Sequence, residues 1–175
     1  VLFRRQRQMC IRDRFITDDD KELLPPWLRF VKGIIDSSEL PLNVSREILQ
    51  QNRIMAKIKS NAVKKILDRL KTIAGNKERY ADFYNQYGRL IKEGVYQDFE
   101  HKEALTELLR FKSTRETGFV SLREYVERMR DEQKSIYYIT GQNQISLQNS
   151  PLLEMYNKKD IEVLLLDDEI DEIII

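Results

Sequence analysis

One cysteine, Cys10, leaves the chain unable to close an internal disulfide, which agrees with a reducing compartment. One histidine, His101, has no second His or Cys with which to share a metal ion, and it reads as an ordinary surface residue. No apolar run approaches the ~18 residues of a membrane span. The basic start is not followed by an apolar stretch, so the layout of a secretory signal is missing. A Gly-rich phosphate loop is missing as well. Charge is nearly balanced, 30 basic against 29 acidic side chains. The balance hides an asymmetry. Residues 1–14 hold five Arg and one Asp, a net of +4, and the rest hold 25 basic and 28 acidic side chains, a net of −3. That body has no general attraction for nucleic acid.

What is present suits a soluble, helix-rich protein: 41% hydrophobic and 34% charged residues, in a chain long enough for one domain or two small ones. Residues 1–14 alternate Arg with polar residues and show no helical or strand period. A nucleic-acid arm or targeting signal is one reading. Foreign sequence is the preferred one, because the stretch resembles translated sequencing-adaptor sequence. No function is carried from it.

Asp18-Asp19-Asp20 precedes a short helix through Pro25-Pro26-Trp27-Leu28-Arg29-Phe30, since acidic residues and proline favour helix starts. The triplet reads as a solvated cap rather than a metal site, and Trp27 as core. Residues 31–36 read as a buried strand. Residues 45–74 show helical period, with Met55, Ile58, Ala62, Ile66, Leu70 and Ile73 at three- and four-residue steps. Lys57, Lys59, Lys64, Lys65 and Lys71 cover other faces and read as a solvated surface. A second helix sets Tyr80, Phe83, Tyr84, Tyr87, Leu90 and Ile91 on one side, as core rather than as a base-stacking stripe, and Gly94 closes it. A third carries Ala104, Leu105, Leu108 and Leu109.

Residues 112–118 read as a polar linker and the best internal boundary. Ser121 and Glu124 form a capping box, with Val120 and Tyr125 placed as a hydrophobic staple. A strand at 135–140, a helix at 152–158 and an apolar strand at 161–166 predict a parallel pair joined by a helical crossover. Asp167-Asp168 follows the last strand, where open α/β sheets bind ligands. Without a phosphate loop, a metal or ribose site there is disfavoured. Residues 169–175 end mid-element, so this unit reads as incomplete. The fold class is α/β (mixed α+β).

The stretch Leu40-Pro41-Leu42-Asn43-Val44-Ser45-Arg46-Glu47-Ile48-Leu49-Gln50 leads into the longest helix. Pro41 keeps the link extended, and Asn43 or Ser45 is placed to cap. Arg46 then falls in the first turn, beside free N–H groups and the positive end of the helix dipole. An Arg fork there suits a phosphate. The other reading pairs Arg46 with Glu47 or a distant carboxylate, and spacing alone favours that pair.

From Phe15 to Ile175 the chain resembles the middle segment of the heat-shock protein 90 chaperone family, its bacterial form above all. The likeness rests on LLPPWLRFVKGIIDSSELPLNVSREILQQN (residues 23–52), LLRFKST (108–114), SLREYVERM (121–129), IYYIT (136–140) and IEVLLLDDEIDE (161–172). The resemblance implies the end of a first α/β unit (15–44), a helical connector (45–118) and a second α/β unit (119–175). Residues 1–14 depart from it, where the family has a strand. It implies that Arg46 reaches the ATP γ-phosphate bound in a separate N-terminal domain. Gln50 would be its loop partner, Asn43 would support the loop, and Phe15 and Leu40 would dock the nucleotide domain. ATP with Mg²⁺, both held by that other domain, a C-terminal dimerisation domain, homodimerisation, client proteins and a cytoplasmic setting are implied too. The competing class is a helical adaptor or nucleic-acid-binding protein built on the basic tail and the Lys-rich helix. Its binding would fall steeply with salt and vanish without residues 1–14.

Overall fold

The computed structural model describes residues 23–34 and 53–175. Pro25 and Pro26 fix two φ angles, and the chain closes a 3₁₀ turn over Pro26–Leu28 instead of a longer helix. The turn drives Trp27 and Leu28 inward, both 0% exposed. The strand expected from residue 31 is absent through residue 34, and Ile34 is 97% exposed. Apolar composition alone does not make a strand: its N–H and C=O groups need a neighbour, and β1, β2 and β3 below all lie later in the chain.

Helix α1 (Arg53–Ala74) buries Val63, Leu67 and Leu70, so its core stripe lies one residue from part of the expected one. Lys57, Lys59, Lys64, Lys65 and Lys71 are exposed, as read. Asn76 caps helix α2 (Lys77–Gln97), its Oδ1 accepting from Arg79 N at 2.9 Å. Tyr80, Tyr84, Ile91 and Val95 are buried along it, and the expected aromatic side is core. Gly94 does not end α2. It sits inside the helix because a Cβ there would come within 3.0 Å of the Trp27 ring and 3.1 Å of Leu105. Helix α3 (Lys102–Leu108) buries Leu105 and Leu108 beside it.

The stretch expected to be a linker opens with strand β1 (Lys112–Ser113), and Ser113 is buried. Helix α4 (Leu122–Glu127) starts on the predicted capping box, Ser121 Oγ accepting from Glu124 N and Glu124 accepting from Ser121 N. Strand β2 (Tyr138–Thr140) leads into helix α5 (Gln144–Gln148), a 3₁₀ turn (Pro151–Leu153), helix α6 (Glu154–Lys158) and strand β3 (Leu164–Leu166). Helix α7 (Asp171–Ile174) follows. The strand order is β1-β3-β2. As predicted, β2 and β3 are parallel, Ile139 opposite Leu165, whereas β1 runs antiparallel to β3, Lys112 opposite Leu165.

The apolar run of β3 is explained by cover on both faces. Leu164 and Leu166 join a large cluster with Trp27, Leu70, Ile91, Leu105 and Val120. Val163 and Leu165 point the other way, into a smaller cluster with Leu147 and Leu153 of the crossover. The large cluster draws residues from both sides of the 112–118 stretch.

Candidate functional site

Phe15, Leu40, Asn43, Arg46 and Gln50 lie outside the described residues. What the structure describes is the platform on either side of the 40–50 stretch: the Trp27 turn before it, and α1 after it.

One carboxylate anchors the Trp27 side chain. Asp98, just past α2, accepts from Trp27 Nε1 at 3.0 Å and from His101 N at 3.1 Å, with His101 Nδ1 also at 3.0 Å. Burial pushes the Asp98 carboxyl up, but its bonds from His101 and Trp27 together outweigh that and hold it below the usual range. His101 is therefore half-buried and engaged, not an ordinary surface residue. A histidine three residues after an Asp at a helix start was the available signal.

Arg29 grips Glu93 of α2 with two bonds, at 2.5 and 3.0 Å. That hydrogen-bonded pairing lowers the Glu93 carboxyl's pKa. Glu93 also lies 4.0 Å from Arg89, and Arg89 lies 3.6 Å from Asp168. Asp168 is 3.8 Å from Lys92, whose Nζ is 2.6 Å from Asp171 Oδ1. The Lys92 and Asp171 side chains are 9% and 1% exposed. The ammonium approaches off the direction a hydrogen bond needs, so Asp171 Oδ1 has charge compensation but no bonded partner. Burial first, then the neighbouring Asp168 charge, raises the Asp171 carboxyl, against the pull of Lys92. Sequence reasoning missed Lys92, which follows buried Ile91 and precedes buried Val95, because a lysine there looks like any solvated helix position.

Asp167 is held by Lys112 at 2.9 Å. The Asp167-Asp168 pair thus faces cations of β1 and α2, and among the described residues no three His, Cys, Asp or Glu gather as metal ligands. An open cleft of about 470 Å³ lies between the α1–α2 turn and the loop before α4, lined by Tyr80, Arg110, Phe119 and Arg128 among others. Arg110 stacks on the Tyr80 ring at 4.7 Å. No described helix is long and apolar enough to cross a membrane.

Residues 4–175 match the Hsp90 protein family. The chain belongs to that family. Chaperone protein HtpG of Aliarcobacter butzleri is 61% identical over 170 residues, 95% of this chain and 27% of that protein. The HtpG of Wolinella succinogenes is 55% identical over 175 residues, 99% of this chain and 28% of that protein. The HtpG of Borreliella burgdorferi is 56% identical over 169 residues. The chain thus spans a little over a quarter of the length of these relatives. The Hsp90 match reaches into the basic stretch, beginning at residue 4. It also runs through Leu40, Asn43, Arg46 and Gln50, so the stretch singled out from sequence lies within the Hsp90 region.

Proposed function

We propose that the chain is the middle segment of an ATP-dependent chaperone that assists the folding of client proteins. Arg46 neutralises charge on the γ-phosphate of ATP bound, with Mg²⁺, in a separate N-terminal domain. Gln50, four residues on in the sequence, steadies the loop with Asn43. Phe15 and Leu40 dock the nucleotide domain. A C-terminal domain makes the homodimer, and the whole works in the cytoplasm. Residues 15–44, 45–118 and 119–175 are the end of a first α/β unit, a helical connector and part of a second α/β unit, with residues 1–14 dispensable for the fold. The observation that carries this reading is a 55–61% identity to HtpG chaperones over nearly the whole chain.

The mechanism is electrostatic. An Arg brought up as the phosphoryl group separates acts on the transition state more than on bound ATP. In a full-length chain, Arg46→Ala should cut turnover by at least tenfold and leave ATP affinity nearly unchanged. Arginine fingers contribute about 10³–10⁵, part of which slow domain closure hides. Arg46→Lys should rescue in part, because a point charge cannot replace the fork. Wild-type turnover in Arg46→Ala would show that Arg46 serves a salt bridge. Loss of the folded state, read by circular dichroism, would show that it is structural.

A further inference from the structure

The ion pairs of the platform form one alternating series rather than separate contacts. It reads Arg29, Glu93, Arg89, Asp168, Lys92, Asp171, with closest approaches of 2.5, 4.0, 3.6, 3.8 and 2.6 Å. Arg29 belongs to the Trp27 turn, and Glu93, Arg89 and Lys92 to three positions of α2. Asp168 and Asp171 belong to the end of β3 and to α7. Every interior member touches a charge of opposite sign on each side. Its side chains are 52% exposed at Arg29, 20% at Glu93, 64% at Arg89 and 21% at Asp168, and the series ends buried, at 9% for Lys92 and 1% for Asp171.

We propose that this series is a conformational strut that couples the Trp27 turn to the end of the α/β sheet. The reasoning is that no interior member belongs to one partner. Asp168 divides its charge between Arg89 and Lys92, and Glu93 divides its charge between Arg29 and Arg89. Removing Asp168 leaves Lys92 serving Asp171 alone, and turns Arg89 wholly toward Glu93. That competes with Arg29 for the same carboxylate and loosens the turn. Removing Arg29 draws Arg89 toward Glu93 and away from Asp168, which loosens the α7 end. Coupling of this kind is reciprocal. The strut does not depend on the ATPase reading.

Arg29 and Asp168 share no contact, so independent sites should give multiplicative effects, within about twofold, on the unfolding equilibrium constant. The strut predicts otherwise. In urea unfolding of the full chain, Arg29→Met, Asp168→Asn and the double variant should depart from the product by about fivefold at low salt. Salt at 1 M should shrink the departure, because screening then acts within about 3 Å. A local readout is available, since Trp27 is the chain's one tryptophan. Asp168→Asn should raise acrylamide quenching of Trp27 severalfold, while Glu154→Gln, which removes the exposed Lys158 pair, should not. A product within twofold, or unchanged quenching in an Asp168→Asn protein that is still folded, overturns the proposal. Should Asp168→Asn fail to fold, Arg89→Met replaces it, with hydrogen exchange at the Ile174 and Ile175 amides as the readout. Unchanged exchange there in Arg29→Met then overturns it.

Discussion

Two carboxylates are buried among the described residues, Glu162 and Asp171, and they are treated differently. Glu162, beside β3, meets Arg128 in a two-pronged grip, Nε at 2.9 Å and Nη2 at 2.8 Å. Asp171, on α7, meets a single ammonium, and one of its oxygens has no bonded partner. The guanidinium offers donors in a fixed plane that matches a carboxylate, whereas an ammonium offers a point charge. The Arg128 pKa rises accordingly, chiefly through its bond to Glu162. Asp171 carries a raised pKa, chiefly from burial. One site is a finished pair. The other is held in a tension that its neighbours relieve only in part.

The sharpest test of this contrast is Arg128→Met. It strands Glu162 without its cation and should cost about 3–5 kcal/mol in urea unfolding, the range for breaking a buried pair. Arg128→Lys keeps the charge but loses the fork. A cost of about 1.5–3 kcal/mol, that of a charge-assisted bond, is expected. A neutral outcome would show that geometry at Glu162 is immaterial.

Lys92→Met should cost less than Arg128→Met, about 1–3 kcal/mol near pH 7, because Asp171 can take up a proton. The sign follows from its raised pKa. A carboxyl whose folded pKa exceeds its ordinary value of 3.8 weakens the fold above that folded pKa, and the penalty fades as pH falls toward the ordinary value. The gap between Lys92→Met and wild type should therefore narrow as pH falls from neutral toward the ordinary carboxylate value of 3.8. A gap that widens instead would mean that Asp171 stays ionised.

The smallest effect is expected at a partly buried carboxylate. Burial acts upward on Glu124, but Lys77 and the Ser121 N–H and hydroxyl together bring it down to about 2. Here the sign is opposite. Glu124 supports the fold above its ordinary value of 4.5, and that support is lost as pH falls through about 2. Glu124→Ala should cost about 1 kcal/mol at pH 7 and flatten the acid limb of a stability–pH curve. An unchanged acid limb would remove Glu124 from the account.

The same contrast explains what the sequence made legible. Patterns carried by the chain itself were readable: the capping box and the aromatic side of α2 follow from spacing within a few residues, and the parallel crossover from the order of strand, helix and strand. Long-range polar pairing was not. Asp171 and Lys92 lie far apart in the chain, and nothing in ELLPPWL or KEGV says that Gly94 stands against Trp27. Lys112–Ser113 looked like a linker because an edge strand takes its place from its partner, β3, rather than from its own apolar content. The stretch with Phe15, Leu40, Asn43, Arg46 and Gln50 was legible through resemblance. Spacing alone left Arg46 between a phosphate and an ordinary ion pair.

One hydroxyl implies something about the order of folding. Tyr125 OH donates to the Glu162 carbonyl at 2.7 Å and receives Gln133 Nε2 and Tyr137 N, each at 3.0 Å. Those partners come from the loop after α4, the approach to β2 and the approach to β3. The oxygen reaches its full complement once all three have arrived, so it favours the completed sheet over a half-built one. This set of bonds should be completed after the rate-limiting barrier. Tyr125→Phe should accordingly hasten unfolding while leaving the refolding limb of a chevron in place, a φ-value near zero. Slower refolding would move this hydroxyl into the nucleus.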